Sequence, residues 1–249
     1  MASPLAEAHI EAQRRLRAVL ASIVRRLWAG LPAYNRDNID EWLSGVVPTV
    51  LDFQRASVAL TEAFVASVLE RPPLGVDPDD LIGAAVRNGT SPEEVYSRPF
   101  VTLWSSLGDG KLFEDAYEQA LNRAVSASAI DTQLSMRATA AAIERVDASI
   151  FGYKRAADPD ACDFCRAVDG AYVKAADGYV MALHNHCGCG LEVLTEPHPR
   201  AVYLPDGTQI RPFQFGPLND QVAVHEHGEL GPVLASPLHD FTTAAQALA

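Results

Sequence analysis

All four cysteines of this chain lie between Cys162 and Cys189, and two histidines, His184 and His186, lie between them. The spacing is C-x2-C-x18-H-x2-C-x-C. No other feature limits the fold so tightly, because it demands that two distant cysteine pairs and a histidine be considered together. A C-x2-C turn puts two thiolates on one side of a tetrahedral ion, and a loop of this length can return the second pair. Gly188 and Gly190 let the backbone close tightly around such a centre. Redox use of Cys162 and Cys165 would want a thioredoxin-like βαβ setting, which the surrounding sequence lacks. Disulfides would want an oxidising compartment. The N-terminus MASPLAEAHIEAQ has no basic region followed by an apolar stretch, so synthesis and folding in a reducing cytosol are expected. The spacing therefore predicts a closed structural zinc site. Its ligands are Cys162, Cys165, His184 and one of Cys187 or Cys189, with His186 as a further candidate.

Residues 1–149 predict a helical domain. Ser3-Pro4 suits an N-cap followed by proline at the first helical position. Leu16, Val19, Leu20, Ile23, Val24 and Leu27 recur at helical spacing, and Gly30 with Pro32 ends that run. A second helix is expected from about Asp37 to Arg71, kinked or divided at Pro48. Asp77-Pro78 and Ser91-Pro92 mark two further helix starts, the second with a capping box completed by Glu94. A long helix is expected from about Leu112 to Val146. Its stripe of Tyr117, Ala120, Leu121, Ala124, Val125 and Ser128 is rich in small residues and suits close packing.

Helical periodicity stops near Ser149. Short β-prone pieces follow at 150–154, 171–173 and 191–194, separated by Asp, Gly and Pro. Residues 150–196 thus predict a small α+β module whose thin core needs the metal. Residues 197–249 predict an extended tail, with a hairpin at Tyr203–Ile210 around Pro205-Asp206-Gly207 and an irregular arm beyond. The fold class is mainly α: an elongated helical N-terminal domain, a zinc-stapled α+β module and an irregular C-terminal tail.

The module resembles a known family. Phe151-Gly152-Tyr153-Lys154-Arg155, Cys162-Asp163-Phe164-Cys165, Asp169-Gly170, His184-Asn185-His186-Cys187-Gly188-Cys189 and Leu191-Glu192-Val193 look like the C-terminal motif of the Mu F-like minor head proteins, also called phage head morphogenesis proteins. Asn185 stands where that pattern often has proline, and Gly188 where it often has arginine; the ligand set is intact. The resemblance covers residues 150–194. It implies a minor capsid component of a tailed bacteriophage, located in the virion at the portal vertex or inner head surface. It implies the portal protein and the major capsid or scaffolding protein as partners. The implied role is in head assembly and DNA packaging or ejection.

Charge bounds the alternatives. The net charge is −12, with 14 basic against 20 acidic residues in 1–150 and 6 against 12 in the remainder. Neither half offers the clustered cations that phosphate binding needs, so packaged DNA would be a neighbour without sequence-specific contact, and a zinc-ribbon DNA reader is disfavoured. The basic spots Arg14, Arg15, Arg17 and Arg25, Arg26 are expected on the solvated face of a helix. No apolar run is long enough to span a bilayer. The rival function is a capsid maturation protease. No G-x-S-x-G elbow occurs, and Ser44-Gly45 falls inside a predicted helix. Val224-His225-Glu226-His227 lacks the H-E-x-x-H spacing of zinc proteases, and its residues are expected to be solvated.

Overall fold

The computed structural model describes residues 3–158, 161, 165–166, 169–170, 172–173, 188–196 and 223–235. The expected hairpin at 203–210 lies outside them. Four helices dominate: α1 (Pro4–Ala29), α2 (Ile39–Val68), α3 (Pro92–Gly108) and α4 (Phe113–Val146). Each predicted cap does its work locally. The Ser3 hydroxyl accepts the Ala6 amide at 3.3 Å, and the Ser91 hydroxyl accepts the Glu94 amide at 3.2 Å. Glu94 departs from the expected box, because its carboxylate pairs with Arg98 one turn on.

Helix α4 is the axis of the bundle and touches the other three helices. From Ser126 to Met136 every residue except Ala129 is buried. Ala116, Ala120, Ala124 and Ala127 let the neighbours approach closely, and aromatic residues fill the space around them. Trp28 sits at the centre, edge-on to Trp42 and Phe100 with ring centroids 5.1 and 5.0 Å away. The Trp42 indole donates to the Tyr96 carbonyl at 2.7 Å, locking α2 to α3.

At two places the helical half differs from the stronger form of the expectation. Pro48 does not divide α2. The proline removes one hydrogen bond, but Val46, Val47 and Val50 are all buried on that stretch, and their packing outweighs the loss. Asp77-Pro78 starts only a 3-10 turn, Pro78–Leu81. Ile82 is extended and Gly83 takes φ +58°, a conformation that breaks a helix. The freed Gly83 amide donates to the Gln54 side chain at 3.0 Å.

The β-prone pieces form one antiparallel sheet of order β2-β1-β3, from β1 (Gly152–Ala156), β2 (Tyr172–Val173) and β3 (Gly190–Leu194). Tyr153, Leu191 and Val193 pack with Phe64, Val65, Met136 and Ile143 on the ends of α2 and α4. The Tyr153 hydroxyl donates to the Ala140 carbonyl at 2.9 Å. Lys154 faces Glu192 across β1 and β3 and pairs with it. On the α1 side, Gly190 lies so close to Ile10 that a β-carbon would stand 2.4 Å from Ile10 Cγ1. Gly190→Ala is expected to lose about 1–3 kcal/mol in urea denaturation, an overpacking cost. An unchanged midpoint would contradict this α1–β3 packing.

The tail departs most from expectation. The segment read as an irregular arm folds into a hairpin of β4 (Ala223–His227) and β5 (Gly231–Ala235), in antiparallel register from Ala223↔Ala235 to His227↔Gly231. Leu230 and Val233 are buried against Ile130 and Leu134 of α4. This part of the expected extended tail, 197–249, is seated on the bundle.

Candidate functional site

The register Ala156↔Gly190 carries the chain on either side of the cysteine window back to one place. Cys165 and Cys189 are both buried and share one cluster with Ala161 and Ala157. The Asp169-Gly170 turn folds back onto β1: the Asp169 carboxylate accepts the Ala157 amide at 2.8 Å, and the Gly170 amide donates to the Arg155 carbonyl at 2.9 Å. Gly170 has φ +75°, which only glycine adopts at no cost. Arg155 is 3% exposed, and its guanidinium donates to the Cys165 sulfur at 3.8 Å.

Helix α1 secures the same region. Arg17 donates to the Gly188 carbonyl at 3.3 Å and lies 4.0 Å from the Asp158 carboxylate, with both side chains largely buried. Arg17 is therefore not a solvated surface residue, unlike Arg14 and Arg15, which pair with Glu11 on the exposed face. One basic residue of the helix faces inward because a buried carboxylate and an orphan carbonyl need it. Of the expected ligands, Cys162, His184 and Cys187 lie outside the described residues, as does His186. Among the described residues, no group of three or more His, Cys, Asp or Glu side chains is arranged to hold a metal. Of the five cysteine and histidine ligands expected for zinc, only Cys165 and Cys189 lie among the described residues.

A second constellation lies on α4, unannounced by any motif. Asp131, 3% exposed on α4, accepts the Arg87 Nε and the Tyr96 hydroxyl, each at 2.5 Å. Arg87, 4% exposed, also donates to the Ala127 carbonyl and pairs with Glu229 at the tip of the β4–β5 hairpin. The other Glu229 oxygen takes Arg98 at 2.7 Å. Burial pulls the Glu229 carboxyl up, but Arg87 and Arg98 outweigh it and hold the group below its usual range. Burial, then Asp131, pushes the Tyr96 hydroxyl well up, so it stays a donor. The His227 Nδ1 accepts the amides of Glu229 and Leu230 at 3.2 and 3.1 Å, shaping the turn that presents Glu229. Neither His227 nor Glu229 is fully solvated, contrary to the reading of this segment. The signal available in the sequence was Asp131 itself, a carboxylate in helical register with Ala124, Ala127 and Leu134.

The lone His9 is a core histidine. Its Nε2 lies 3.3 Å from the Thr61 hydroxyl and from the Gln13 amide, and its ring stacks on Phe64 at 4.5 Å. Burial, with Arg17 second, lowers its pKa to about 4, so the ring is neutral at pH 7. Set against protein-family models, curated proteins and solved structures, the chain shows no match.

Proposed function

We propose that this chain is a minor head protein of a tailed bacteriophage, bound at the portal or inner head surface and acting in head assembly and DNA packaging or ejection. The observation that carries the reading is the pairing of β1 with β3, which leaves Cys165 and Cys189 in one buried cluster. That arrangement fits the motif order: a Tyr-Lys-Arg strand, C-x2-C, a D-G turn, H-x2-C-x-C and an apolar strand. Zinc is compatible with the described part of the site, since Cys165 and Cys189 are buried in one small cluster and Arg155 supplies a hydrogen bond to Cys165. Cys162, Cys165, His184 and one of Cys187 or Cys189 would hold it. A shell closed by four protein ligands leaves no position for a reacting water, so the ion would staple the module and do no catalysis. The helical half then supplies the docking surface, and the portal protein with the major capsid or scaffolding protein supplies the partners.

Co-expression with the portal protein of the same phage tests the proposal. The chain is expected to co-elute with the portal ring. The contrary result is a chain that elutes alone, while its deletion abolishes capsid-protein processing and the purified chain restores it. That outcome would make it a maturation protease.

A further inference from the structure

The outer face of the α1–α2 pair is apolar and open. Ala8, Ala12, Leu16 and Val19 of α1, with Phe53 and Leu60 of α2, line a shallow groove between the two helices. Val19 is 53% exposed, and Leu5, one turn before Ala8, is 46% exposed. Leu5, Ala8, Ala12, Leu16 and Val19 follow the three- and four-residue steps that align them in one row along α1. Phe53, Ala56, Leu60 and Ala63 do the same along α2, and no member of either row is buried. Rows of this kind on two neighbouring helices suit packing against further helices.

The two rows are complements of themselves. A second α1 laid antiparallel on the first, with Ala12 over Ala12, puts Leu16 over Ala8 and Val19 over Leu5. Helix α2 follows in register. His9 contacts Thr61 and Gln13 contacts Ser57, so Ala12 lies level with Val58. The same two-fold rotation therefore puts Phe53 over Ala63 and Leu60 over Ala56. A large residue meets an alanine at three of these four positions, which is how facing layers interdigitate. Charge selects the same orientation. Glu7 and Glu11 precede Ala12, while Arg14 and Arg15 follow it. Antiparallel pairing brings Glu11 of each copy beside Arg14 and Arg15 of the other. Parallel pairing would set like charges side by side. A patch that complements itself about one axis is the mark of an isologous contact.

We infer that the outer α1–α2 face is a dimer interface, on which a second copy of this chain docks about a two-fold axis passing by Ala12. Docking takes Leu16, Val19, Phe53 and Leu60 out of the water that still reaches them, and this apolar burial drives association. The rim charges fix the orientation and contribute little energy. The interface rests on this face alone and is independent of the cysteine window and of the proposed role in the phage head.

Sedimentation equilibrium of the full chain is expected to give twice the chain mass of 26.8 kDa. Val19→Glu is expected to return the mass to that of one chain with the helical circular dichroism unchanged. Position 19 is open to solvent within one chain, whereas the dimer would bury the new carboxylate against Leu5. Ala12→Cys is expected to give a disulfide-linked dimer on mild oxidation, where the wild type gives none, because the axis brings the two copies of residue 12 together. A wild-type mass of one chain at about 100 µM would overturn the proposal and leave the face to a different occupant. A dimer that survives Val19→Glu, or that shows no link through residue 12, would also overturn it. The wild-type mass and the Ala12→Cys link decide the matter even if Val19→Glu fails to fold.

Discussion

Asp131→Ala is expected to cost about 3–5 kcal/mol of stability, read from the urea midpoint of the purified chain. The reason lies in what stays behind. Arg87 is 4% exposed and cannot reach water without moving the hairpin, and Asp131 takes its Nε at 2.5 Å. The Tyr96 hydroxyl, fully buried, loses its acceptor in the same stroke. A buried guanidinium left with only Glu229 and the Ala127 carbonyl, its Nε unanswered, and a hydroxyl without its acceptor add their desolvation costs. The double variant Arg87→Met with Asp131→Leu is expected to be less damaged than Asp131→Ala alone, because removing both charges removes the debt that either one leaves. Its Glu229 contact would be lost, so the hairpin should loosen while the aromatic core around Trp28 holds. A loss below about 1 kcal/mol for Asp131→Ala would mean that water reaches Arg87 and that the cluster is not closed.

The proposed zinc carries a larger and more local expected effect. The sheet β2-β1-β3 has few core residues of its own: Tyr153, Leu191 and Val193 lean on α2 and α4. Toward the cysteines the described cluster is small, with Ala157, Ala161, Cys165 and Cys189. Structural zinc contributes on the order of 10 kcal/mol to the folding of zinc-finger peptides. Chelation, or Cys165→Ser, is therefore expected to strip amide-exchange protection from β1 and β3 and to expose Cys189 to thiol reagents. Helices α1 to α4 should keep their protection, since their core is built from Trp28, Trp42, Phe100 and the α4 alanines. Protection of β1 and β3 that survives chelation would show that contacts such as Tyr153 with Ala140 suffice to hold the module.

Local signals were legible where the chain's own neighbours decide the outcome. Ser3 and Ser91 cap the helices they precede, Gly30 ends α1, and the small-residue stripe of α4 became the bundle axis. The three β-prone pieces after Ser149 became three strands of one sheet. What failed depended on partners far along the chain. The β4–β5 hairpin reads as a polar arm because its anchor, Glu229, is satisfied by Arg87 and Arg98, more than 130 positions earlier. Arg17 reads as a surface residue because its partners, Gly188 and Asp158, belong to another part of the fold. Pro48 reads as a break because the burial that overrides it comes from other helices. At the cysteine window the contact of Arg155 with Cys165 was not legible, since nothing in a strand sequence says which face meets a thiol.

The zinc content of the purified chain bears most directly on the proposed function, since the cysteine window carries both the proposed metal and the resemblance to head proteins. Elemental analysis of protein prepared without added metal is expected to give one zinc per chain, falling to well below half in Cys165→Ser. No stoichiometric metal, with all four thiols titrating freely, would contradict the metal staple and remove the main support for a role in the phage head.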